Sequence, residues 1–244
     1  MPVALIIGAG ERIGRDSAEK FAAAGYKVAV TSRTQKLDSS KFPFFEFDAA
    51  EPTQIPALFE KVRKEVGVPE VVIYNVRIVF KPFSTPKVHF SQPFDIDTVE
   101  NFQQGTNVNV VSPAVAAHEA SKGFLELESQ GKLGPGGATF LFTGNALNDK
   151  PIYGIFTLGI GKTATAGTIE YLARTAYNDK PFSFYFVDQR EPDGHPIVTG
   201  VNGAAHADVF LQLAQDPKQG PWQYTFTKDG GYTVFSKDFP WRGF

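Results

Sequence analysis

Apolar residues along this chain come in two rhythms. Short unbroken runs mark strands buried on both faces, and between them apolar residues recur every three or four positions, as on helices packed against a sheet. Val3 to Ile7 reads as the first strand, Gly14 to Ala24 as a helix capped by Gly25, and Lys27 to Thr31 as the second strand. Phe44 to Phe47 is a third strand. Ile55, Leu58, Phe59, Val62 and Val66 then fall at helical spacing, and Gly67 ends that helix. Val71 to Tyr74 is a strand, followed by a proline-containing loop over about 80–94 and a long helix from near Asp95 to Lys122. Gly131 to Gly137 is a turn-rich connector. Ala138 to Thr143 is a strand, 157–177 a helix, Phe182 to Val187 a strand, 204–214 a helix, and Tyr224 to Phe226 closes the sheet. Regular alternation of strand and helix predicts an α/β fold: a doubly wound, mostly parallel, three-layer sheet in a single domain over 1–244.

Composition narrows the function classes. The net charge of −2 gives no electrostatic footprint for nucleic acid. No cysteine is present, which excludes disulfides, thiolate metal sites and cysteine nucleophiles. The opening apolar run lacks a basic front and a small-residue cleavage site, so it is expected to be a strand and not a signal peptide. No apolar stretch approaches membrane-spanning length, and a cytoplasmic location is expected. The 23 phenylalanines point to an aromatic core. His89, His195 and His206 show no metal-ligand spacing with carboxylates, so no metal site is expected.

The most informative segment is Gly8-Ala9-Gly10-Glu11-Arg12-Ile13-Gly14. It lies between the first strand and the first helix. A glycine turn there lets backbone N–H groups approach a pyrophosphate at the positive end of the helix dipole. The strand–turn–helix context makes dinucleotide binding the reading of choice, in a Rossmann-type domain with a short substrate loop at about 188–203.

Turn, spacing and element order together resemble the short-chain dehydrogenase/reductase family over nearly the whole chain. The resemblance places Gly8, Gly10, Arg12, Ile13 and Gly14 at the cofactor turn, with Arg12 where the family's middle glycine usually stands. The second strand ends in Thr31-Ser32-Arg33. An acidic residue here would bond a ribose 2′-OH; a hydroxyl and a guanidinium suit a 2′-phosphate, so NADP(H) is the cofactor expected. Asp48 matches the family's aspartate beside the adenine amino group, and equally fits the N-terminus of a helix. Asn75 matches the second asparagine of an Asn-Asn-Ala-Gly motif in which Tyr74, Val76 and Arg77 replace the other members. Asn109 matches the active-site asparagine of the long helix, and Asp229-Gly230-Gly231 a structural turn after the last strand.

The resemblance weakens at the catalytic centre. The family carries Tyr-x-x-x-Lys with a preceding serine: the lysine holds the nicotinamide ribose and lowers the tyrosine pKa, the tyrosine moves the proton, and the serine orients the substrate oxygen. Lys162 fits the lysine, which puts Leu158 at the tyrosine and Asn145 at the serine position. Leucine moves no proton. Tyr153 is a candidate substitute, with an aromatic wall as its bland alternative. Asn145 offers an amide donor to a carbonyl, or stabilises its own loop.

Three functions stay open. One is a divergent NADPH-dependent oxidoreductase acting on a pre-activated or unusual small molecule, for which loss of a general acid costs about 10²–10⁴ in rate while positioning supplies more. The second is an inactive cofactor-binding scaffold or sensor, and the third a non-redox cyclase or lyase. The resemblance further implies a homodimer or homotetramer, paired through the helices at about 95–122 and 157–177.

Overall fold

The structure is a computed structural model. It describes residues 1–76, 98–152, 155–197 and 199–236. The loop at 80–94, the helix start at Asp95, and Arg77, His89 and Tyr153 lie outside the described residues.

Among the described residues, eight strands form one sheet: β1 Val3–Ile7, β2 Lys27–Ser32, β3 Phe44–Glu46, β4 Val71–Tyr74, β5 Ala138–Thr143, β6 Phe182–Arg190, β7 Gln223–Thr227 and β8 Gly231–Tyr232. Their order is β3-β2-β1-β4-β5-β6-β7-β8. All pair in parallel except β7 with β8. The helices are α1 Ile13–Ala23, α2 Ile55–Glu65, α3 Val99–Thr106, α4 Ser112–Ser129, α5 Phe156–Tyr171 and α6 Gly203–Gln215. Strand order reverses direction between β1 and β4. Connections leave in opposite directions there and open a crevice at the strands' carboxyl ends. This is the doubly wound Rossmann-type architecture.

Alternation along β1 splits the core. Leu5 and Ile7 face the layer built with α2, α4 and α5; Ala4 and Ile6 face α1 and α6. Each large apolar side chain buried this way contributes about 1.5–3 kcal/mol. The aromatic residues concentrate on the first face. Tyr74, Phe142 and Phe186 sit in register on β4, β5 and β6, and their ring centroids are 5.8 and 5.5 Å apart.

Three elements differ from the sequence expectation. The long helix continues to Ser129 rather than ending at Lys122, because Gly123 is no stop signal: a Cβ there would lie 3.0 Å from Val68 Cγ1. The glycine makes room for a neighbour. Between α3 and α4 the helix also widens into a π-turn, Asn107–Val111. Strand β6 runs past Val187 to Arg190. Its polar end hid it, but Asp188, Gln189 and Arg190 are buried and pair with Thr225, Phe226 and Thr227. The loop before α6 is correspondingly shorter. Finally, β7 does not close the sheet. Asp229-Gly230-Gly231 turns the chain into β8, with Gly231 at φ +63°. Among the described residues, no helix is long and apolar enough to cross a membrane.

Candidate cofactor and active site

A cleft of about 340 Å³ opens at the carboxyl ends of β1, β4, β5 and β6. The glycine turn forms one wall. Gly8 adopts φ +94°, and a Cβ there would come within 2.7 Å of the Asn75 carbonyl oxygen. A Cβ on Gly14 would approach Ala9 Cα to 2.5 Å, so this glycine lets the helix pack on the turn. Gly10 differs, since a Cβ there would meet nothing within 4 Å. Packing inside the protein does not explain Gly10, whereas the approach of a bulky group from the cleft does. Asn75 Nδ2 donates to the Gly8 carbonyl at 3.0 Å and holds the turn from β4. Helix α1 opens after Arg12 without a side-chain cap; the Arg15 N–H donates to the Gly10 carbonyl at 2.9 Å, and among the described residues the Ile13 and Gly14 N–H groups are left to a ligand or solvent. These features fit the diphosphate of a dinucleotide: backbone donors, a positive helix end and space over Gly10.

A second cavity of about 130 Å³ adjoins this turn at the ends of β2 and β3. Ser32, Arg33 and Asp48 line it together. Ser32 Oγ donates to the Thr34 carbonyl at 2.6 Å. Arg33 is exposed and makes no ion pair among the described residues, so its guanidinium is available to an anion. Asp48 Oδ1 accepts the Ala50 N–H at 3.0 Å, so it caps the following turn while lining the cavity.

At the opposite end the cleft is walled by Thr143, Gly144, Asn145, Lys162, Asp188 and His206. Lys162 is 2 % exposed. Its Nζ donates to the Thr143 carbonyl at 2.7 Å and stands 4.2 Å over the Phe142 ring. Gly144 lets the chain leaving β5 lie against the Phe186 ring of β6, which a Cβ would strike at 2.2 Å. Asn145 Oδ1 accepts the Leu147 N–H at 3.1 Å and caps a short 3₁₀ turn. The amide donors of Asn145 stay available to the cleft.

Two expected residues are not on the cleft wall. Asn109 is fully buried in the π-turn. Its Nδ2 donates to the Gly105 carbonyl at 3.0 Å, and its own carbonyl accepts Thr165 Oγ1 at 2.6 Å. Gly161 permits this contact, since a Cβ would fall 2.4 Å from Asn109 Cβ. Asn109 therefore braces α5 beside Lys162. Leu158 is buried on α5, one turn before Lys162. Tyr153 lies outside the described residues.

The site also holds charges that sequence reasoning missed. Asp188, 1 % exposed, accepts from Arg190 Nε. Arg190 also reaches the Gly194 carbonyl at 3.2 Å and Asp149 at 3.6 Å. Burial raises the Asp188 carboxyl to about 6 against the pull of Arg190 and Lys162. His206, from α6, bonds the Asn202 carbonyl through Nδ1 at 2.8 Å. Burial lowers its pKa to about 4, leaving it neutral. The i, i+2 spacing of Asp188 and Arg190, both on one face of a strand, was the signal available.

The chain's residues 2–133 match the family model described as short chain dehydrogenase. The protein is 37 % identical over 243 residues to a short chain dehydrogenase/reductase, dmxR12, of Cryptosporiopsis sp. (strain 8999), covering 97 % of this chain and 96 % of that protein. This chain belongs to the short-chain dehydrogenase/reductase family. Solved structures share the fold at low identity. A metagenomic short-chain oxidoreductase in complex with NADP superposes with TM-score 0.73 at 15 % identity, covering 93 % of this chain and 96 % of that one. A short chain dehydrogenase from Leptospira borgpetersenii serovar Hardjo-bovis with bound NAD+ gives 0.70 at 18 %, covering 96 % and 93 %. The family is one of oxidoreductases.

Proposed function

We propose that this protein is an NADP(H)-dependent oxidoreductase acting on an already electrophilic small molecule, an activated carbonyl compound or an iminium. One observation carries the reading: the open space over Gly10 and the uncapped start of α1 share a cleft with Lys162. Arg33 and Ser32 hold the 2′-phosphate, Asp48 lies against the adenine, and the glycine turn with Asn75 holds the diphosphate. When bound, the reduced nicotinamide supplies a hydride. Lys162 holds the ribose hydroxyls, and Asn145 donates to the acceptor oxygen.

Leu158 at the tyrosine position carries no proton, so simple ketones and secondary alcohols are poor substrates. The same residue favours a second reading, a scaffold that binds the cofactor without turning it over. The two are separated by following NADPH absorbance with an aryl α-keto ester, a cyclic iminium and plain cyclohexanone. The proposal expects consumption with one of the first two and none with cyclohexanone. Rapid reduction of cyclohexanone contradicts it, and silence on all three favours the scaffold.

A further inference from the structure

Asp188 is a buried carboxylate on the wall of the cleft, at the end that holds Lys162 and Asn145. In a mostly parallel sheet, a strand end buried on both faces is usually apolar. Here β6 instead ends Asp188-Gln189-Arg190, all buried. Its carboxylate is the counterion of the buried Arg190 guanidinium and at the same time lines the cleft. The surroundings are built around it. Arg190, on the same face of β6, donates to it through Nε. Asp149, after the 3₁₀ turn, accepts Gln223 Nε2 at 2.6 Å and sits 3.6 Å from the Arg190 guanidinium. Arg190 is thereby fixed from three sides, and it holds one Asp188 oxygen.

We propose that Asp188 carries the proton of the reduction, a role that Leu158 cannot fill, with Arg190 and Asp149 as positioning residues. This rests on the NADP(H)-dependent reading above and narrows it to an activated carbonyl acceptor, since a carboxyl that titrates near 6 is mostly ionised at neutral pH and leaves plain ketones slow. A hydride and its electron pair pass from the reduced nicotinamide to the carbonyl carbon. The C=O π pair moves to oxygen, and that oxygen takes the Asp188 proton. Alcohol, oxidised nicotinamide and an Asp188 carboxylate result; water in the cleft returns the proton. NADPH, a proton and a carbonyl compound give NADP+ and an alcohol.

The charged and titratable groups around Asp188 are consistent with a carboxyl that exchanges its proton near pH 6. Lys162 of α5 and Arg190 favour the carboxylate, Asp149 opposes it, and desolvation outweighs both cations. Across the cleft stand neutral His206 of α6 and, on the glycine turn, exposed Glu11 and Arg12.

The test compares proton release on binding NADP+ and NADPH, by calorimetry at pH 6 in two buffers of different ionisation enthalpy. The 2′-phosphate contributes equally to both. Only NADP+ brings a cationic ring against Asp188, so wild type should release up to about half a proton more with NADP+ than with NADPH. In Asp188→Asn that difference should vanish while both nucleotides still bind. Carboxyl-carbon NMR of aspartate-labelled wild type needs no variant: one resonance should titrate near pH 6 and shift to lower pH with NADP+. Reduction of an aryl α-keto ester should fall as pH rises through about 6, and Asp188→Asn should lower kcat by about 10²–10⁴ with the KM for NADPH unchanged. Binding without the NADP+/NADPH difference, or the same difference in Asp188→Asn, overturns the role of Asp188 and leaves the cofactor reading standing. Failure of wild type to bind either nucleotide overturns both.

Discussion

Lys162 donates from Nζ to the Thr143 carbonyl at 2.7 Å, with its ammonium 4.2 Å over the Phe142 ring. The bond ties the middle of α5 to the last residue of β5. Lysine is seldom this buried, and here a carbonyl, a ring face and the Asp188 charge compensate for its lost hydration. The contacts leave the ammonium on the cleft wall, where it can meet a ribose.

Lys162→Ala should therefore act twice. Thr143 loses a charge-assisted bond and α5 a buried stem, so thermal unfolding should show a loss of about 2 kcal/mol. NADPH affinity, read by fluorescence titration, should fall about tenfold for one lost polar contact. Lower stability with unchanged affinity would make Lys162 a purely structural tie.

Gly10 and Gly14 should separate when each is changed to alanine. A Cβ at Gly14 meets backbone at 2.5 Å, whereas one at Gly10 meets nothing within 4 Å. Gly14→Ala should lower both stability and NADPH binding. Gly10→Ala should leave the melting temperature unchanged and still weaken NADPH binding at least tenfold, on the order of 1.4 kcal/mol. Intact binding by Gly10→Ala would place the diphosphate elsewhere.

Two buried groups pull stability in opposite directions with pH. His206 is lowered from 6.5 to about 4, so the folded protein holds fewer protons there than the unfolded chain. Its contribution is present above pH 6.5 and is lost as pH falls through about 4, on the order of 3 kcal/mol in full. Asp188 is raised from 3.8 to about 6. Its contribution is present below 3.8 and is lost as pH rises through about 6, of similar size. In wild type the two offset each other between pH 4 and 6, and the melting temperature should be nearly flat there. His206→Gln should make it fall as pH rises across that window, and Asp188→Asn should make it rise. Melting curves at half-unit intervals would show either slope.

The fold was legible because its signals are local. Val3 to Ile7 is apolar without interruption, and Gly25 and Gly67 sit at φ +90° and +130° after their helices. The glycine turn was legible for the same reason, and Ser32, Arg33 and Asp48 do share one cavity. What escaped depended on contacts distant in sequence. The end of β6 looked like a loop because it is charged; in the folded strand Arg190 pairs with Asp188 and also with Asp149, some forty positions earlier in the chain. The long helix was expected to end at Lys122 but runs to Ser129, and only the position of Val68 shows why Gly123 inside it is small. Asn109 was expected at the active site on its motif; the structure shows its backbone carbonyl accepting from Thr165 on α5, fifty-six positions later, a contact that only the fold brings together.

The central claim is that this cleft binds NADP(H), with Arg33 reading the 2′-phosphate. Calorimetric titration of NADPH and NADH into wild type and Arg33→Ala tests it most directly. NADPH should bind wild type at least tenfold more tightly than NADH. Arg33→Ala should weaken NADPH by about 1.5–3 kcal/mol, the range for a hydrogen bond to a charged group, and leave NADH unchanged. Equal or tighter binding of NADH by wild type, or an Arg33→Ala variant with unchanged NADPH affinity, would contradict it.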